Sequence, residues 1–223
     1  MASIATRRQR DVRRPWLAVV GVGAGAAALG WAAGWLGLQL SNDPHPTWLL
    51  ARVAGLASLV MLTGLVTLGL LLAYPRGTVL RALPRDVLIR VHIGLATFTL
   101  VFTVLHVVVL ALDKYAGVGW AGVFLPLGAT YRPIPVTLGW IALYGGLLAG
   151  VTARLAGRLG RVWWPIHRVA IVTYAAAWLH GVLAGTDSVA LAFFYGSSLL
   201  IVVSIATSRY LTEPTRHAEV SAR

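Results

Sequence analysis

Four histidines carry the chemistry that this sequence offers. His92 and His106 lie near the two ends of one apolar stretch, and His167 and His180 near the two ends of another. Histidine is rare in apolar spans because its ring nitrogens need partners there. If both stretches are helical, His106 stands about 21 Å beyond His92, and His180 about 19.5 Å beyond His167. Two pairs at matching depths follow: His92 with His167, and His106 with His180. A zinc or copper site would need more ligands, and no Cys, Glu or further His is placed at those depths. Haem iron needs two axial ligands only, because the porphyrin supplies the other four, and its flat apolar ring fits between helices. The pattern therefore predicts two bis-histidine b haems stacked across a bilayer, with His92, His106, His167 and His180 as the iron ligands. The competing reading has four unrelated histidines bonded to nearby backbone or Ser/Thr groups. Matched depth on two helices would then be a coincidence.

One spacing resists a simple picture. Fourteen residues bring a helix within about 40° of full registry, whereas thirteen leave it about 140° out. His167 and His180 cannot point the same way from one straight helix. Either that helix deviates or the two haems are turned relative to each other.

Composition sets the surroundings. Hydrophobic residues make up 58% of the 223 and charged residues 12%, about half the charged share of soluble domains. The mean hydropathy is +0.77. This is an integral membrane protein. The net charge of +12 does not indicate nucleic acid, because the arginines sit at the edges of apolar runs, as membrane topology requires. There is no cysteine, which excludes disulfides and thiolate-held metal or iron–sulfur centres.

The apolar runs divide the chain into an all-α bundle of six transmembrane helices. A basic tail occupies residues 1–14, the six-helix domain 15–208 and a polar tail 209–223. The spans are expected at Pro15–Leu38, Trp48–Ala73, Asp86–Leu112, Val136–Ala156, Val162–Ala184 and Asp187–Ser208. Gly30 and Gly34 in the first have the spacing of close helix packing. The longest loop is Asp113–Pro135. Of the 19 Lys and Arg residues, all but Arg52, Lys114 and Arg132 fall in the tails, in the loops after spans two and four, or at the helix bases beside them. Positive charge marks the cytosolic face, so both termini are expected in the cytosol. Trp16, Trp35, Trp48, Trp140, Trp163 and Trp164 fall near span ends, where interfacial tryptophans gather. Arg52 sits a turn inside the outer end of span two. It either snorkels to the headgroups or meets a buried anion.

The third and fifth spans run the same way, and a haem between them should hold them further apart than the 8–10 Å of directly packed helices. A haem also brings two carboxylates that need cations or donors. Arg52, and less directly Arg132, are candidates at the outer end, with Arg90 and Arg168 at the inner end.

At these residues the chain resembles the ferric reductase-like transmembrane domain family, which includes eukaryotic ferric reductases and NADPH oxidases. The resemblance covers about residues 45–208. It rests on His92-x13-His106 and His167-x12-His180, and on their places on the third and fifth of six helices. It implies a cytochrome b that carries electrons from the cytosol to an acceptor outside: ferric iron, oxygen, quinone or a partner protein. It also implies that Arg52 lies near the outer haem's propionates. Eukaryotic members carry a flavin and nicotinamide domain, and no dinucleotide fingerprint occurs in this sequence. In that respect the chain is similar to the haem-bearing membrane subunit of the bacterial methionine-sulfoxide reductase system. The expectation is a multi-pass protein of a bacterial plasma membrane, an oxidoreductase component served by a separate flavin reductase or by membrane quinone. Two alternatives stand beside it. One is a quinol- or ascorbate-linked cytochrome b of another family. The other is a transporter whose histidines relay protons.

Overall fold

The computed structural model describes residues 42–73, 84–186 and 188–221. The expected first span and the basic tail before it lie outside these residues, as do Arg76, Arg81 and Asp187. The chain divides into two units, Met1–Pro46 and Thr47–Arg223. In the described part of the first, the Asp43 carboxylate accepts the His45 backbone N–H at 2.7 Å. All that follows concerns the second.

The described residues are helical, with no strand among them. Helix α1 spans Pro46–Leu72, α2 Arg85–Leu112, α3 Gly119–Phe124, α4 Pro133–Arg154 and α5 Ala156–Leu159. A short 3-10 turn at Gly160–Val162 leads into α6 (Trp163–His167), α7 (Val169–Ala184) and α8 (Ala192–Ser221). Among these, α1, α2 and α4 are long and apolar enough to cross a membrane, and α5–α6 with α7 form a fourth such span if the bent pair counts as one. The apolar part of α8, Ala192–Ser208, is shorter. The helix nonetheless runs on to Ser221, through the region expected as a polar tail.

Proline and charge explain the helix starts. Pro46 opens α1 and Pro133 opens α4, positions where a missing N–H costs nothing. Asp86 stands in the first turn of α2, where a carboxylate meets the positive end of the helix dipole. That helix stops at Asp113. Its Oδ1 accepts the N–H groups of Tyr115 (2.7 Å) and Ala116 (3.0 Å), an Asx turn that replaces the next helical bonds. Its Oδ2 is hydrogen-bonded to the Thr47 hydroxyl, tying the start of α1 to the end of α2. The loop after Asp113 is not featureless, since it contains α3.

The segment expected as the fifth span is bent. Its two pieces meet at Arg168 with a 45° bend. The Ile171 N–H bonds to the Arg168 carbonyl three residues back, so the chain is tightened there. Pro165, in the first turns of α6, withholds an N–H just before the break. His167 ends α6 and His180 lies in α7, so a bend lies between the two.

Packing defines two helix pairs. Helix α4 lies along α7. Helix α1 is tied to α2 by the Ser58 hydroxyl, 2.6 Å from that of Thr103 and 3.3 Å from the Thr99 carbonyl. An apolar core of Leu59, Val66 and Leu70 from α1, Tyr174 from α7, and Tyr195 and Val202 from α8 joins these helices. A second cluster, Ala111, Ala116, Val118 and Val123 with Trp48 and Val136 against it, covers the end near Asp113. Neither α7 nor α1 approaches α2 by backbone as extensively as α4 approaches α7.

Candidate functional site

Between these helix pairs stand the histidines. Where α2 approaches the loop at Asp113, the rings of His106 and His180 are 6.2 Å apart, centre to centre, with planes at 78°. Each is anchored on the helix paired with its own. His106 Nδ1 lies 2.6 Å from the Ala51 carbonyl of α1, and His180 Nδ1 lies 2.8 Å from the Pro135 carbonyl of α4. A carbonyl can only accept, so in both rings Nδ1 carries the proton. Nε2 is left with its lone pair, the form in which imidazole binds a metal.

Glycines admit these rings. A Cβ at Gly55 would stand 2.8 Å from His106 Nδ1, and a Cβ at Gly139 would stand 2.9 Å from His180 Nδ1. A Cβ at Gly69 would stand 3.1 Å from His92 Cε1. Gly55 and Gly69 share the 14-residue spacing of His92 and His106, so on two antiparallel helices each glycine meets one histidine. This was a signal in the sequence, but it is readable only once α1 and α2 are known to be neighbours.

The other pair is held differently. His92 Nδ1 and His167 Nδ1 are both buried without a hydrogen-bond partner. The Leu65 backbone lies by the His92 ring but makes no bond of acceptable geometry to it. His167 stacks on Trp163 at 5.2 Å, with planes 25° apart, and the Trp163 indole N–H is also buried and unpartnered. The remaining orphaned polar atoms among the described residues are the hydroxyls of Thr67, Thr173 and Tyr174. All belong to this half of the molecule or its middle. A buried polar atom without a partner is costly.

The arginines divide. Arg52 lies over the Trp48 ring, 4.5 Å from its centre, a cation–π contact. Arg90 forms an exposed i,i+4 pair with Asp86 at 2.9 Å. Arg168 occupies the break between α6 and α7. Arg132 is used structurally. Its Nη1 donates to the carbonyls of Leu183 (2.6 Å) and Gly185 (3.4 Å), and the Tyr131 hydroxyl donates to that of Ala184 at 2.9 Å. These two residues cap the end of α7, one turn beyond His180. Arg132 pays for this with a left-handed backbone, φ 40° and ψ 64°. Of the aromatics between the two histidine levels, Phe98 is 58% exposed and Tyr174 is core.

No group of three or more His, Cys, Asp or Glu residues converges among the described residues. The donor set is two imidazoles, which suits a metal whose remaining ligands come with it. Comparison with protein-family models, with curated proteins and with solved structures returns no match.

Proposed function

We propose that this protein is a transmembrane electron-transfer cytochrome b of the ferric reductase-like kind. It would hold two b haems, through His106 and His180 at the outer level and His92 and His167 at the inner level. The observation that carries the reading is the outer pair: two rings on separate helices, each bonded through Nδ1, with centres 6.2 Å apart. Rings so placed would each present a bare Nε2 that could hold a metal between them. The orphaned ring nitrogens of the inner pair support the same reading.

Haem supplies one-electron redox chemistry. The protein fixes its ligands, neutralises its carboxylates and keeps the centre apolar. Arg52 serves the outer carboxylates, while Arg90 and Arg168 serve the inner ones. The distribution of Lys and Arg supports six spans with both termini in the cytosol, and we take the membrane to be a bacterial plasma membrane. Arg85, Arg154, Arg158 and Arg161 with their neighbours make that face basic, which speeds encounter with an acidic flavin reductase. Such a reductase, or membrane quinol, is the donor. The acceptor lies outside: ferric iron, oxygen or a partner protein. Outward electron flow is favoured by the membrane potential, by about 2.3 kcal/mol per charge per 100 mV.

Sealed vesicles test the direction and the donor. With flavin reductase and NAD(P)H inside, both haems and an impermeant external acceptor should be reduced. Reduction by the nicotinamide alone, with no second protein and no quinone, would overturn the donor assignment.

A further inference from the structure

The two histidine pairs are not built alike, and the difference lies in the helices opposite them. In an α-helix the side chain at i+4 projects back toward the carbonyl of residue i. A glycine at i+4 leaves that carbonyl open to a ring from a neighbouring helix. Ala51 precedes Gly55 by four residues, and Pro135 precedes Gly139 by four. These are the two carbonyls bonded by His106 and His180.

Resting on the haem reading above, we infer that Gly55 and Gly139 are positioning residues for the outer ligands. By omitting a side chain they admit the two rings to the Ala51 and Pro135 carbonyls. Those carbonyls hold Nδ1–H and so preset Nε2 as the ligand atom of both His106 and His180. The inner pair repeats the device on one side without the bond. Gly69 makes room beside the His92 ring, the carbonyl four residues before it is that of Leu65, and the Leu65 backbone lies by that ring, yet His92 Nδ1 has no partner of hydrogen-bond geometry. No described glycine has the His167 ring among the atoms its Cβ would meet, and His167 Nδ1 has no acceptor. The outer rings are therefore held by bonds within the protein, and the inner rings are not.

Two readouts on the full-length chain test this. The first is histidine 15N NMR on protein from haem-limited cells. His106 and His180 should show protonated Nδ1 and bare Nε2, and Gly55→Ala and Gly139→Ala should each abolish that signature at their own histidine. This readout needs no haem. The second is haem content and redox titration of protein from haem-replete cells. Gly55→Ala and Gly139→Ala should each lower haem from two to one per chain. Any outer haem retained should titrate at a raised midpoint potential, because an imidazole that loses its Nδ1–H bond is a weaker donor. Gly150→Ala, where a Cβ would meet nothing within 4 Å, should keep both haems. Protonated Nε2 at His106 and His180 in the unsubstituted chain would overturn the inference. So would two haems at unchanged potentials in both alanine variants. Haem-free protein with the expected Nδ1–H signature would refute the haem reading and leave the glycine positioning standing.

Discussion

The rings of His106 and His180, on α2 and α7, approach to 6.2 Å with their planes 78° apart. Each reaches that point leaning on a backbone carbonyl of a different neighbour. Two core histidines that needed only hydrogen bonds would have no reason to converge. The relationship makes each ring's loss specific. His106→Ala or His180→Ala should remove one haem of two and leave the spectrum of the other. His92→Ala or His167→Ala should remove the complementary one. Haem per chain, measured for the four variants, checks this, and unchanged haem in all four would end the ligand assignment.

Arg52 offers a test through potential. Its guanidinium is fixed over Trp48, at the same end of the molecule as His106. Removing a nearby positive charge favours the oxidised, more positive state of the haem. Arg52→Ala should therefore lower the midpoint potential of the outer haem, and Arg52→Lys should lower it less. A titration identical to that of the unsubstituted protein would leave Arg52 with a headgroup role only.

Much of the helix layout was legible in the sequence. The starts and ends of α1, α2 and α4 fall within a few residues of expectation, because prolines and charges bound the apolar runs. The mismatch between 13 and 14 residues left open a deviating helix or haems turned relative to each other, and the 45° bend at Arg168 was not legible. Tertiary partners were not legible. Arg132 reads as a loop cation, and only the packing of α4 against α7 turns it into a cap for Leu183 and Gly185. Gly55 and Gly139 read as ordinary packing glycines until the opposing histidine is known. The pairing of Arg90 with Asp86 needed only the i,i+4 rule.

The Arg132 cap has a measurable worth. Arg132→Ala removes the donor to two terminal carbonyls and should cost about 0.5–1 kcal/mol. It should show as faster amide hydrogen exchange in the last turn of α7, with haem content unchanged. Equal exchange there in the variant and the parent would refute the capping role.

Asp113 is the other stabilising residue at this end. It is 8% exposed and serves the Tyr115 and Ala116 N–H groups together with Thr47. Asp113→Ala leaves those donors without their acceptor and should cost about 1–3 kcal/mol. A melting temperature equal to the parent's in the same detergent would contradict the Asx-turn account. Thr47→Val should cost less, because it removes one bond rather than three.

The most direct test of the central claim is the visible spectrum and the pyridine haemochrome assay of the purified full-length protein. The account predicts a reducible b-type spectrum and two haems per chain. Protein purified folded from haem-replete cells, with no Soret band and no extractable haem, would contradict it.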